Sequence, residues 1–287
     1  SGWKALSDQY GLYLVLMEAA DEAGWKNDEE DLAYLNALNN DLSLRPMFCA
    51  FQPNFYAVGY GDAADVIGKQ SRRASRAYAA VALIGTSGLD SAEAEELAGT
   101  ETRVPGVMCA DVQWPVWLVY ENQNENTERM VSYYRRANHS QKNGVKGRFG
   151  TTWLPQVGGT VDEHWCANVI ADQLAWTECV NRDYSEAILS ELFDGIYRYP
   201  GNNNGALRRA ENIYERGFKK YTADIWGGYY TDHRDTYRRE WYVYRPESAP
   251  ADQPVPAVFV FHGAGGGGDE IADRIGWSYV AEKYGFL

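Results

Sequence analysis

The turn Gly59-Tyr-Gly-Asp-Ala63 has the spacing with which many hydrolases expose a nucleophile between a strand and a helix. Apolar residues Phe55–Val58 precede it, and the outer positions of such a turn must be small because the chain reverses sharply. Its middle residue is Gly61, which has no hydroxyl, thiol or carboxylate. Asp62 could act only if the frame shifted by one residue, and Tyr60 would then occupy a small position. The sequence therefore predicts a nucleophile turn without a nucleophile.

A second element with chemical potential is the glycine-rich segment that follows the apolar run Pro256–Phe261. Glycines let backbone N–H groups approach a developing oxyanion closely. A phosphate-binding loop is excluded because no Lys-Ser or Lys-Thr pair follows the glycines. We predict an oxyanion loop formed by His262, Gly263, Ala264, Gly265 and Gly266.

Other residues offer weaker candidates. His139 and His164 could serve as bases, but the surrounding sequence favours surface histidines. Asp162, Glu163 and His164 are consecutive and do not converge on one ion, so we predict no metal site and no cofactor. Ser87 follows an apolar run in Gly85-Thr-Ser-Gly88, where a structural turn is favoured over a nucleophile.

Strands alternate with helices along residues 1–205, which predicts parallel βαβ units with helices on both faces of the sheet. The predicted strands are Leu12–Met17, Phe55–Val58, Ala79–Ile84, Pro115–Tyr120 and Leu174–Val180. The predicted helices are Trp3–Tyr10, one capped near Asn27, Asp62–Tyr78, Thr127–Ala137 and Tyr184–Arg198. After a turn cluster at Pro200–Gly205 come two predicted strands, Tyr237–Tyr244 and Pro256–Phe261, and one helix, Asp269–Tyr284.

An internal repeat indicates a duplicated unit. Gly2-Trp3, a short helix and Tyr10-Gly11 are repeated as Gly276-Trp277, a short helix and Tyr284-Gly285. We therefore predict a body copy over residues 1–205 and the opening of a second copy over 206–287, with the chain cut at both ends. The opening strands of residues 206–287 are expected to complete the first sheet in cis, as in a circular permutant.

The order of segments resembles one branch of the α/β-hydrolases, that of the polyhydroxybutyrate-depolymerase-like and feruloyl or acetyl-xylan esterases. The matching segments are Tyr237–Pro246, His262–Gly266 and Ser1–Trp3, with a familiar stretch at Gly201–Arg208. The resemblance implies an α/β-hydrolase fold and a serine carboxylic-ester hydrolase as the parent protein. The substrate would be a small-molecule or polymeric ester, either a polyester or an ester of a plant polysaccharide.

By the same resemblance, Gly61 stands where the nucleophilic serine is expected. The acid is expected within Glu121–Glu125, where amides replace it unless Glu121 or Glu125 substitutes. The base is expected within Asn181–Ser185, which contains no histidine. We therefore expect this copy to be inactive. The alternative is a non-enzymatic binding or scaffold module, a pseudo-esterase throughout.

Composition limits the partners. Apolar residues make up 45% of the 287 residues, and the net charge of −13 disfavours nucleic acid and anionic membranes. We expect a soluble protein, extracellular or cytoplasmic. The aromatic content of 14% suits sugar or aryl binding as well as a Tyr-rich core. Cys166 and Cys179 could form a disulfide or remain buried thiols, and their spacing does not decide.

Overall fold

The computed structural model describes residues 1–20, 22–44, 54–74, 77–156, 167–193, 195–198, 207–209, 213–226, 236–263, 267–274 and 277–287. The described residues up to Arg209 form one compact unit, and those from Ile213 onward form a second. His164, Cys166, Ala264, Gly265 and Gly266 lie outside the described residues.

A mixed sheet of six strands forms the centre of the first unit. The strands are β1 (Tyr56–Tyr60), β2 (Ala80–Ile84), β3 (Val116–Tyr120), β4 (Val145–Gly147), β5 (Gly150–Trp153) and β6 (Val169–Gln173). Their order is β1-β2-β3-β6-β5-β4. The pairs β1–β2, β2–β3 and β3–β6 are parallel, and the pairs β6–β5 and β5–β4 are antiparallel. The predicted α/β class with a mostly parallel sheet is therefore confirmed.

Helices cover both faces of this sheet. They are α1 (Trp3–Tyr10), α2 (Glu29–Leu44), α3 (Asp62–Arg73), α4 (Ser91–Gly99), α5 (Glu125–Ala137) and α6 (Arg182–Ala187), which a π-helical turn extends through Ile188–Phe193. Side chains of α2 to α5 form a first core with Val81 and Leu83 of β2. The α6 side chains and the π turn form a second core with Ala82 and Ile84, because successive strand residues face opposite sides.

Side-chain caps explain where two of these helices begin. The Asp28 carboxylate accepts hydrogen bonds from the backbone N–H groups of Glu30 and Asp31, both at 3.0 Å, one residue beyond the predicted cap at Asn27. Asn124 caps α5 by accepting from the N–H groups of Asn126 and Thr127. The α5 helix therefore starts two residues before the predicted Thr127.

Three elements of the first unit differ from the prediction. Leu12–Met17 belongs to no described helix or strand, and Leu16 is 79% exposed. The last parallel strand is β6 at Val169–Gln173, so the predicted strand at Leu174–Val180 is wrong, and Trp176–Cys179 is a 3-10 turn. The helix predicted to reach Arg198 ends at Phe193, and strand β7 (Ile196–Arg198) follows, paired with β8 (Leu207–Arg209).

The second unit contains β9 (Lys219–Trp226) and β10 (Thr236–Val243), which pair antiparallel, and α7 (Gly268–Arg274) and α8 (Trp277–Tyr284). The single predicted helix at Asp269–Tyr284 is thus two helices. Pro256–Phe261 is not a strand in this structure, and Phe259 and Phe261 are 81% and 83% exposed. All six described strands of the first sheet lie between Tyr56 and Gln173. The completion in cis stays a prediction.

Candidate functional site

The carboxyl ends of β1, β2, β3 and β6 meet at one edge of the first sheet, because these four strands are parallel. Ligand and catalytic groups of open α/β sheets lie at this edge. The residues that follow the strands there are Gly61 after β1, Gly85 after β2, Glu121 after β3 and Leu174 after β6. The predicted nucleophile turn is therefore placed at the edge where chemistry is expected.

Gly61 joins β1 to α3 in a conformation that strains any residue with a Cβ, with φ 59° and ψ −132°. Its N–H donates to the Ile84 carbonyl at 2.8 Å, and its carbonyl accepts from the Ala64 N–H at 2.9 Å. A Cβ at this position would have Trp176 ring carbons as its nearest neighbours, at 3.9 Å. The sharp strand-to-helix turn is thus present, with room for a side chain that the sequence does not supply.

Gly59 shows why the turn needs a small residue before its middle position. A Cβ on Gly59 would lie 2.6 Å from the Ala63 carbonyl oxygen and from the backbone N and Cα of Ala64. Real Cβ atoms do not approach backbone this closely, so β1 and α3 can pack at this distance only with glycine at position 59. This requirement is steric and is independent of any nucleophile.

Trp176 is the side chain over Gly61. It begins the 3-10 turn after β6, and a Cβ on Gly85 would lie 2.9 Å from its Cβ and Cγ. Its indole therefore packs across the ends of β1 and β2. Indole nitrogen is only a hydrogen-bond donor and cannot accept a proton from a nucleophile. The residue beside the turn is thus not a general base.

The segment predicted to hold the base, Asn181–Ser185, has a capping function instead. The Asn181 side chain accepts a hydrogen bond from the Tyr184 N–H at 2.8 Å and caps α6. Ser185 donates its hydroxyl to the Ser1 carbonyl at 2.8 Å. Sequence reasoning missed Trp176, because the last strand was placed too late in the chain and because no local pattern marks a side chain that folds back over a neighbouring strand.

The segment predicted to hold the acid is also committed to structure. Glu121 and Glu125 are exposed, and the Glu121 carbonyl accepts from the Gln173 side chain at 3.3 Å. Between them, Asn124 caps α5. The amide found where a catalytic carboxylate was expected therefore serves the helix.

Three other groups near the turn could act as nucleophiles. The Tyr60 hydroxyl accepts from Trp3 Nε1 at 3.0 Å, and burial raises the Tyr60 pKa, which keeps the phenol neutral. Burial likewise raises the pKa of the Cys179 thiol to about 11, and Cys179 is a free cysteine. Asp62 is exposed at the first position of α3. Neither the phenol nor the thiol is activated.

Two of the remaining candidates, Ser87 and His139, belong to the first unit. The Ser87 N–H donates to the Asp65 carboxylate at 3.0 Å, which makes its loop a structural turn. His139 is exposed and follows α5. Its neighbour Asn138 bonds the backbone of Trp114, before β3, so His139 lies at the opposite edge of the sheet. His262 and Gly263 are exposed in the second unit.

A cavity of about 620 Å³ lies beside the turn, next to the outer edge of β1. Aromatic and aliphatic side chains from both cores line it, and its polar lining comes from few groups. Its lining includes Trp3, Leu16, Trp25, Leu35, Tyr60 and Trp176.

No protein-family model, curated protein or solved structure matches this chain, so the site is interpreted from its own geometry. Within the described ranges, no group of three or more His, Cys, Asp or Glu side chains is arranged to hold a metal ion. Among the helices that the structure describes, none combines the length and the apolar character needed to cross a bilayer.

Proposed function

We propose that this chain is a catalytically silent unit related to the carboxylic-ester hydrolases of the α/β-hydrolase type. One observation carries the proposal. The chain keeps the sharp turn at Gly61, with its strained backbone and its glycine contact at Gly59, but offers an indole where a proton acceptor is needed. Such a turn has a catalytic purpose only when its middle residue carries a nucleophile.

Acyl transfer requires a nucleophile, a base to activate it and donors for the oxyanion. At the edge around Gly61 the nucleophile is missing, and the side chain beside the turn is Trp176, which cannot act as the base. The acid segment is used to cap α5. Loss of the nucleophile, the base and the acid together fits a domain that is released from catalysis and kept for its fold. In this proposal another copy hydrolyses the polyester or polysaccharide ester, and this copy is a scaffold.

A binding module is the second candidate function, and the cavity favours it. Four aromatic side chains line the space beside Gly61: Trp3, Trp25, Tyr60 and Trp176. Aromatic faces suit a flat aryl ester. Methyl ferulate is a suitable probe, and under this reading Trp176→Ala weakens its binding in calorimetry. Equal binding by both proteins would remove this candidate.

Hydrolysis of p-nitrophenyl acetate tests the primary proposal. The purified chain is expected to match the buffer control, and Gly61→Ser is expected to remain inactive, because removing the base from a triad costs orders of magnitude in rate. Trp176→His combined with Gly61→Ser is the informative comparison, since it adds a base beside the new hydroxyl. Turnover by the unmodified chain that Asp62→Asn abolishes would refute the proposal.

A further inference from the structure

Strand β1 is an outer strand of the described sheet, and one side of it carries backbone groups without a described partner. The Phe55 carbonyl accepts from Ala79 and the Gly61 N–H donates to Ile84, so odd-numbered residues of this stretch face β2. The N–H and C=O groups of Val58 and Tyr60 therefore face outward, where no described residue bonds them. An open edge of this kind is a template for another strand.

The cavity next to this edge is lined by side chains from both faces of the sheet. On one face of the sheet it contacts Leu35 and Val66 of the first core. On the other face it contacts Trp3 and Trp176, which pack on the second core. A strand lying there would be buried on both faces, as inner strands of parallel sheets are. Such a strand must be apolar at consecutive positions.

Pro256–Phe261 is a segment with that composition and is exposed in this structure. It carries no charge and alternates two valines with two phenylalanines. Val258 and Val260 are 40% and 39% exposed, whereas Phe259 and Phe261 are more than 80% exposed. An exposed apolar run of this kind indicates a missing partner surface.

The repeat supplies the position and direction of this segment. The Val258 N–H donates to the Leu287 carbonyl at 2.7 Å, and the Leu287 N–H donates to the Pro256 carbonyl at 2.9 Å. This pattern is that of a parallel pair. Matching Gly285 to Gly11 makes Leu287 equivalent to Tyr13. An equivalent strand beside the first repeat would therefore run along Leu12–Met17, of which Val15, Leu16 and Met17 line the cavity.

We propose that Pro256–Phe261 of a second copy of this chain inserts between β1 and Leu12–Met17, parallel to Leu12–Met17. The donor segment would exchange Leu287 of its own chain for Tyr13 of the acceptor, which the repeat makes an equivalent partner. Since each copy holds both a donor and an acceptor, the exchange closes as a dimer or continues as an open row. This inference goes beyond the proposed function and does not depend on whether the chain hydrolyses esters.

Sedimentation of the full chain over about a hundredfold range of concentration tests the proposal, because mass action makes self-association concentration-dependent. The chain is expected to associate, and Leu16→Glu is expected to weaken association about tenfold or more, because it places a carboxylate in the apolar slot. Val260→Pro is the donor variant, since an inserted strand is paired on both sides and proline removes one bond. Both positions lie outside helices and strands, so both variants are expected to fold.

Leu154→Glu is the matched control, because Leu154 is 44% exposed and does not line the cavity. Hydrogen exchange should show protection of the Val58 and Tyr60 amides on association. A chain that stays monomeric, or association unchanged by Leu16→Glu and Val260→Pro, would overturn the proposal. A synthetic peptide covering residues 254–263 distinguishes one further outcome. If the chain stays monomeric but binds this peptide, the edge of β1 accepts a strand that a second copy does not supply, and the proposal fails.

Discussion

Alanine at Gly61 and at Gly59 should destabilise the protein for different reasons and by different amounts. At Gly61 the added Cβ finds open space, with its nearest neighbours at 3.9 Å, so the cost is backbone strain at φ 59°. Strain of this kind costs about 1–3 kcal/mol. At Gly59 the Cβ would meet backbone at 2.6 Å, so β1 and α3 must separate. We expect a loss at or above about 3 kcal/mol, at the upper end of overpacking costs.

Urea unfolding with tryptophan fluorescence measures both losses, and a substitution series at Gly61 identifies the strain. A β-branched valine tolerates positive φ less well than alanine, because its second Cβ substituent adds contacts with the neighbouring peptide groups. The expected order of stability is therefore Gly61, then Gly61→Ala, then Gly61→Val. A neutral Gly59→Ala, or equal stability of the two Gly61 variants, would refute this geometry of the turn.

Three further predictions concern buried groups of the first unit. Glu93→Ala should cost about 3–5 kcal/mol in urea unfolding, because it removes the carboxylate 2.7 Å from the Arg72 guanidinium, which is only 2% exposed. Glu96→Ala should cost under about 1 kcal/mol, because the Glu96 side chain is half exposed. Iodoacetamide followed by peptide mass mapping should leave Cys179 unmodified in the folded chain at mildly alkaline pH, because burial raises its pKa to about 11, and should modify it in urea. Burial raises the Tyr78 pKa from 10.0 to about 12, so the stability of the fold should fall as the pH rises from 10 to about 12. Tyr78→Phe should reduce this fall. An unchanged urea midpoint between those pH values would contradict the prediction.

Much of the first unit could be predicted from local sequence. The helices α1, α3 and α5 and the strands β1 to β3 follow from apolar periodicity and from runs buried on both faces. The short strands β4 and β5 were missed because they contain Gly, Thr and Lys and are partly exposed. Their order is set by pairing with β6, a tertiary contact that no local pattern contains.

The failures at Leu12–Met17 and Pro256–Phe261 share one cause. Both segments have the composition of inner parallel strands. The sequence pattern shows that their side chains are suited to burial, but it does not show which residues pack against them. In the structure neither segment forms a helix or a strand, and most of their residues are exposed. Composition indicates a strand, whereas the segment that would pair with it is a tertiary contact that composition does not contain.

At the candidate site, the turn at Gly61 could be predicted, since small residues between a strand and a helix are a local signal. The indole of Trp176 could not be predicted, because it reaches Gly61 only after β1 and β6 have taken their places in one sheet. Caps explain the polar residues at Asn124 and Asn181, which had been assigned to lost catalytic positions. Their side chains bond helix N–H groups, which is a sufficient reason for asparagine there.

Intact-mass analysis after incubation with a fluorophosphonate tests whether the turn at Gly61 is catalytically silent, because this reagent forms a covalent adduct only with an activated nucleophile. An unchanged mass is expected for the folded chain, since Gly61 has no side chain and Trp176 provides no base. The opposite result would be an adduct that forms on the folded chain, does not form on a chain unfolded before the reagent is added, and maps to a residue beside Gly61.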